Sequence, residues 1–247
     1  MAGWANPTVA RLATRDDLDG ENVCGLVLVC AWPMPSNVRE RVAALGRKLL
    51  AVLPSEAYVY PPATIHCTIA TLRAFTHGPM DDADVEACVK LWKPVLDVAS
   101  SSPSWPDMPF RLRMNAPTLE GPAGIFRYDD VDGAITHMRA AIRDAIVEAG
   151  GSPVVGGGDR SIGRPLPGGG QVSPHIPDIV HSTVVRWKGE PNDRESAIVE
   201  FERVAEGWTP IEVTVSRVTA VLERVPYMHM LVDDAARSPD DYIWWST

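Results

Sequence analysis

The apolar positions of this chain fall into two alternating textures. "CGLVLVCAW" (residues 24 to 32) is an unbroken apolar run rich in β-branched side chains, the texture of a buried strand, and "PMPS" ends it. Through "NVRERVAALGRKLL" the residues Val38, Val42, Leu45 and Leu49 recur every three or four positions, which predicts a helix that Ser36 or Asn37 can cap. "TIHCTIATL" (64 to 72) is the next expected strand. "DDADVEACVKLWKPVLDV" (81 to 98) is the next expected helix, its acidic first turn suited to the positive end of the helix dipole. After the Pro/Ser-rich "SSSPSWPDMP", Phe110, Leu112, Met114 and Ala116 alternate with Arg111, Arg113 and Asn115, the period of a half-exposed strand, and "GIFRYDD" is its expected partner.

The succession then repeats. Val131, Ile135, Met138, Ile142 and Ala145 mark a helix that stops at Gly150 and Gly151. Residues 150 to 178 are too rich in Gly and Pro to sustain regular structure and are expected to form a long loop. "IVHSTVVRW" (179 to 187) is predicted as strand, "NDRESAIVEFERVAEGW" (192 to 208) as helix, and "IEVTVSRVTAVLERV" with "MHMLVDD" as two closing strands. The two halves read as diverged copies of one α+β lobe. Neither lobe alone can cover its sheet, so the expected unit is a single bilobal domain over residues 23–235. An N-terminal extension (1–22), a loop insertion (150–178) and an aromatic C-terminal tail (236–247) complete the division.

Composition narrows the class. With 247 residues and 45% hydrophobic side chains the chain can bury a sizeable core. A formal charge of -9 argues against extended coating of a nucleic-acid backbone, which needs clustered Lys and Arg, but leaves room for a short RNA end or a small nucleotide. Cys24, Cys30, Cys67 and Cys88 lie in apolar or helical surroundings without CxxC spacing and read as buried free thiols, which favours a reducing, cytoplasmic setting. No apolar run has the length of a signal peptide or a membrane span, so no membrane partner is expected, and a monomer is.

Against this background two short stretches stand out. In "TIHCTIA" and "IVHSTVV" a His and a Thr sit two positions apart, so strand alternation puts each pair on one face, roughly 6.5 to 7 Å apart. Ile65, Cys67 and Ile69, and likewise Val180, Ser182 and Val184, take the other face. Chance gives about 0.3 HxT tripeptides in a chain of this composition, and here two occur, each on an expected strand that follows a strand and a helix. If the lobes pack by a pseudo-two-fold, the two pairs converge in one cleft. Two imidazoles across a substrate suit acid and base work near neutral pH, and two hydroxyls beside them can bond the non-bridging oxygens of a phosphate. Such a set requires no metal.

With these motifs, His66-Cys67-Thr68-Ile69 and His181-Ser182-Thr183-Val184, the chain resembles the 2H phosphoesterase superfamily, of the cyclic-phosphodiesterase-like kind, defined by two HxTx or HxSx motifs. "LVLVCAWPMPSNVRERV" is similar to that family's first strand, Pro turn and helix. The resemblance implies an α+β, bilobal fold, two pseudo-symmetric lobes of antiparallel sheet with outer helices around a central groove. It implies metal-independent hydrolysis of 2',3'-cyclic phosphates or 2'-5' phosphodiesters of RNA ends or small nucleotides, without a cofactor. His66 and His181 would be the acid/base pair, and Thr68 and Thr183 the phosphate-binding hydroxyls. A rival of another class is a non-catalytic sensor or scaffold module holding an AMP-like ligand in the same groove.

Other residues are weaker candidates. Arg160 and Arg164, in the long loop shortly before the second motif, are candidates to reach a phosphate or nucleotide, the alternative being a mobile, solvated loop. Tyr60, Arg127, Tyr128 and Trp187 flank strand ends, where an aromatic can stack a base. His77, His137 and His229 lack the HxT context, and His175 is expected as a loop residue. The "GGG" clusters do not form a phosphate-cradling GxxxxGK[ST]. Alternation turns the Cys67 sulfur away from His66, which argues against a nucleophilic thiol. The tail "DYIWWST" is expected to cover the groove, pack on the core or mark an interaction patch.

Overall fold

The computed structural model describes residues 3–14, 22–150, 154–155, 174–231 and 238–247. Among the described residues, eleven strands and five α-helices follow one another as α1 (Pro7–Thr14), β1 (Gly25–Cys30), α2 (Ser36–Val52), β2 (Ala57–Val59), β3 (Cys67–Arg73), α3 (Asp82–Ser100), β4 (Phe110–Glu120), β5 (Ala123–Asp130) and α4 (Ala134–Glu148). The chain continues with β6 (Val154–Val155), β7 (His175–Ile176), β8 (His181–Trp187), α5 (Arg194–Ala205), β9 (Ile211–Val215), β10 (Val218–Glu223) and β11 (Ile243–Ser246).

The strands form two sheets, ordered β11-β10-β1-β3-β7-β6 and β2-β8-β5-β4-β9. Among the described residues the named strands pair antiparallel except for the short β6–β7 contact. The architecture is the expected bilobal α+β one, but neither lobe is one half of the sequence. Each sheet collects strands from both halves, so the copies interlock rather than pack side by side. The run "IEVTVSRVTAVLERV" shows how: it divides at residues 216 and 217, and β9 closes the second sheet while β10 enters the first.

One continuous apolar core joins the lobes, with Leu28, Ile69, Phe126, Val184, Trp187 and Phe201 all buried in it. A smaller cluster (Leu12, Val27, Val29, Trp32, Val221, Met228, Tyr242) covers the opposite face of the first sheet. Along β1 the partition follows strand alternation: Leu26, Leu28 and Cys30 enter the main core, and Val27 and Val29 the other face. The N-terminal segment belongs to this packing, since Trp4 lies 4.8 Å from the Trp187 ring and Val9 and Leu12 of α1 are buried. The aromatic tail forms β11 on the edge of β10, where Trp245 packs into the core and its Nε1 donates to Asp97 Oδ1 at 2.9 Å.

Several local expectations change. α2 begins at Ser36 itself, so neither Ser36 nor Asn37 is in position to cap; the Pro35 carbonyl accepts from the Val38 and Arg39 amides instead. Val131 is 50% exposed in the turn before α4, because the Asp130 carboxylate accepts from the Ile135 and Thr136 amides and delays the helix start to Ala134. "MHMLVDD" does not form a strand: its described part belongs to the turn Pro226–Leu231, whose Tyr227 and Met228 are left-handed, and residues 232–234 lie outside the described residues. His175 is a strand residue rather than a loop residue, paired with Thr71 on the edge of β3.

The lobe interior is tight at Gly124. A Cβ there would stand 2.7 Å from Phe201 Cε2 and 3.1 Å from Val185 Cβ, and both of those side chains are buried in the core. Gly124→Ala is expected to cost about 1–3 kcal/mol by forcing Phe201 off its packing. Urea unfolding checks this, with the midpoint lowered and the slope unchanged.

Candidate functional site

The two motif strands meet where the sheets meet. His66 and Thr68 are half-buried, whereas Ile65, Cys67 and Ile69 are buried; on β8, His181 and Thr183 are half-buried, and Ser182 and Val184 are buried. The four expected residues therefore share the open side of their strands. What joins the strands is a polar contact on the buried side. Ser182 Oγ donates to the His66 carbonyl, and because that hydroxyl proton is committed, Tyr128 OH donates to Ser182 Oγ at 2.8 Å. The residue between His and Thr is thus a tie between motifs in the second strand, not only packing.

Each histidine ring is fixed in the same way. His66 Nδ1 lies 2.7 Å from the Thr64 carbonyl, two residues back, and the His181 ring donates to the Ile179 carbonyl, also two residues back. A carbonyl can only accept, so Nδ1 of His66 carries the proton and its neutral ring offers the Nε2 lone pair. Burial pushes His66 down to about 4, against the Thr64 bond and with help from the charge of His181. His181 is lowered as well, chiefly by burial and further by the nearby Arg139, Arg186 and Arg127, while the Ile179 bond opposes.

A bulge follows each motif and changes which side chain comes next. In β3 the register jumps so that Val29 faces Thr68 and Leu28 faces Ala70, leaving Ile69 unpaired and turning Thr71 to the side of Thr68. In β8 Thr183 pairs with Ile125 and Val185 with Gly124, so Val184 is bulged and Arg186 takes the open side. Strict alternation puts Val185 there, so the sequence pattern does not single out Arg186. The signal available in the sequence was a lone Arg in an apolar strand. Thr71 is paired with His175, and Arg186 with Tyr58, so corresponding positions of the two strands carry different chemistry.

Around Arg186 stands an aromatic wall. Its guanidinium lies 5.1 Å from the Tyr227 ring, and Tyr227 packs 4.8 Å from Phe75 and 5.9 Å from Tyr60. Asn6 Nδ2 reaches the Tyr227 hydroxyl at 3.1 Å, tying α1 to the wall. Tyr60 is 3% exposed, and burial holds its phenol well above the usual range. Of the other expected residues, Tyr128 bonds Ser182 inside the seam and Trp187 stacks on Trp4 in the core, both away from the open side. Arg127 lies opposite His181 on β5, in a bidentate pair with Glu120 at 2.5 and 2.7 Å. Arg160 and Arg164 lie outside the described residues. Among the described residues no group of three His, Cys, Asp or Glu is placed to hold a metal ion, all four cysteines are free thiols, and no helix is long and apolar enough to cross a membrane.

No family model matches the sequence, and no curated protein matches it. Solved structures do match in fold. The TT0787 protein of Thermus thermophilus is 16% identical, over 80% of this chain and 87% of that one, with a TM-score of 0.45. LigT of E. coli, solved with 3'-AMP, is 12% identical over 81% of this chain and 88% of its own, with a TM-score of 0.46. A structure named only as a phosphoesterase is 12% identical over 80% and 86%, with a TM-score of 0.43.

The wall depends on a buried carboxyl. Glu223, 3% exposed, accepts from the Met228 amide at 3.0 Å and from the Tyr227 amide, and so holds the two left-handed residues that aim Tyr227. Burial raises Glu223 from 4.5 to about 7. The folded protein therefore binds this proton more tightly than the unfolded chain, and the stability that it contributes is complete below 4.5 and lost as pH rises toward 7. Glu223→Gln is expected to remove a slope of up to about 1.4 kcal/mol per pH unit across that window. Paired denaturation curves of the two proteins from pH 4 to 8 measure it, as a difference that cancels the histidines' opposite contribution.

Proposed function

We propose that this chain is a 2H-type, metal-independent phosphodiesterase that hydrolyses 2',3'-cyclic phosphates or 2'-5' linkages of RNA ends or small nucleotides. The observation that carries the reading is the pairing of two ring-anchored histidines, each with a Thr on its own side of the strand, across one seam of main-chain contacts. Thr68 and Thr183 donate to the non-bridging phosphate oxygens, and Arg186 adds the positive charge that developing anionic oxygen needs. Tyr58 and Tyr227, backed by Tyr60, form the wall against which a base stacks.

The surroundings of the two histidines support one division of roles between them. His66, held lower, stays neutral and takes a proton from water through Nε2; the water oxygen bonds to phosphorus as the bond to the leaving ribose oxygen breaks. His181 gives its proton to that oxygen. No step calls on a metal or a cofactor.

Assays with 2',3'-cyclic nucleotides, 2'-5' oligoadenylate and short RNAs with cyclic ends test this. His66→Ala and His181→Ala are each expected to lower kcat/KM by at least about 10²-fold, within the range that general acid and base groups supply. EDTA is expected to leave the rate unchanged. The wild-type kcat/KM profile is expected to be a bell with its acidic limb near 4 and its alkaline limb below 6.5, the first set by His66 and the second by His181. Full activity in either variant, or loss on chelation, rejects the mechanism; nucleotide binding without turnover points to a sensor.

A further inference from the structure

Arg139 lies on α4, which packs against β3 of one sheet and β5 of the other, and it is 5% exposed. Among the described residues its hydrogen bonds go to main-chain carbonyls and none to a carboxylate: Nε to Ile69 at 3.2 Å, and Nη2 to Thr68 at 2.8 Å and to Ile179 at 3.0 Å. Two of these acceptors belong to the first motif and its bulge. The third is the carbonyl that anchors the His181 ring. One guanidinium therefore spans the two motifs and shares an acceptor with a histidine.

We propose that Arg139 is a positioning residue of the paired-histidine site, fixing Thr68 and the His181 ring relative to each other and setting a fixed positive charge behind His181. Its catalytic consequence rests on the phosphodiesterase reading; its geometric one does not. A bulged residue has no ladder partner, so the Ile69 carbonyl needs another donor, and Arg supplies several in a rigid planar fork. A neutral side chain with one donor would serve that carbonyl at lower desolvation cost, because a buried cation without a carboxylate is expensive. The charge is useful where it disfavours imidazolium at His181 and so makes a stronger acid of it once protonated.

Other charges face the same ring. Arg186 lies on its own strand, Arg127 on β5 and His66 ahead of β3, while Glu120 on β4 pairs with Arg127 and Asp178 lies near Arg127. Asp130, the last residue of β5, adds a negative charge near Arg139, and Cys30 and Cys67 are the thiol neighbours of Arg139. Arg127 is largely offset by Glu120, which leaves Arg139 and Arg186 as the cations that set the field at His181.

The test is ¹⁵N NMR titration of the histidines in the wild type, Arg139→Met and Arg139→Lys, with pH profiles of kcat and KM on a 2',3'-cyclic nucleotide. Arg139→Met is expected to raise the His181 midpoint by about one pH unit and to lower kcat by about 10- to 100-fold, with KM within about threefold. Arg139→Lys keeps the charge and loses the fork, so the midpoint stays near the wild-type value while kcat still falls. A folded Arg139→Met protein with an unchanged His181 midpoint overturns the proposal. If neither variant folds, the wild type decides: the Nδ1–H tautomer of His181 with a midpoint below 6.5 supports it, and the other tautomer or a midpoint at or above 6.5 overturns it. The titration needs no turnover, so a protein inactive on every phosphodiester still tests Arg139.

Discussion

Buried main-chain polar groups must find partners, and at the junction of the two sheets that requirement organises the molecule. The strands carrying the two motifs do not pair with each other in a ladder, so the carbonyls of His66, Thr68, Ile69 and Ile179 need donors from elsewhere. Ser182 takes the first and Arg139 the other three. Each bond that satisfies a carbonyl also fixes a residue of the site, which makes the junction both the structural weld between lobes and the frame of the groove. Tyr128 extends the network by donating to Ser182, so a phenol on β5 supports a histidine carbonyl ahead of β3.

The bulges after the motifs give the groove its polarity. A strand without them would continue the alternation and present Ala70 and Val185 beside the two threonines. With them, Thr71 and Arg186 occupy those places, next to His175 and Tyr58. The pseudo-symmetric frame is therefore chemically one-sided: hydroxyl and imidazole on the first sheet, guanidinium and aromatic rings on the second.

The ionisable groups at the site work against one another in stability. Histidines held neutral by burial make the fold less stable as acid is added below their ordinary range, whereas Glu223, held protonated, makes it less stable as acid is removed. These opposing dependences flatten the overall response between about pH 4 and 7 while each group keeps the environment that its position requires. The cost of burying Glu223 is tied to the aromatic wall, because the left-handed turn at Tyr227 and Met228 needs an acceptor for its amides.

The periodicity of the chain alone determined most of the helices and strands, the α+β class, and the sharing of one strand face by His66 with Thr68 and by His181 with Thr183, because alternation and helical spacing are local properties. Where periodicity ended, a side-chain partner decided: at Val131 and "MHMLVDD" the Asp130 and Glu223 carboxyls, each bonding an amide five residues ahead, and at Tyr128 and Trp187 the distant Ser182 and Trp4. Only the tertiary structure interlocked the two halves across both sheets and turned Arg186 onto the open side. It likewise brought Arg139, some forty residues from His181 in sequence, to the carbonyl that anchors the His181 ring. Bulges and buried donors answer to the unpaired groups that folding creates, and those groups do not exist until the strands have met.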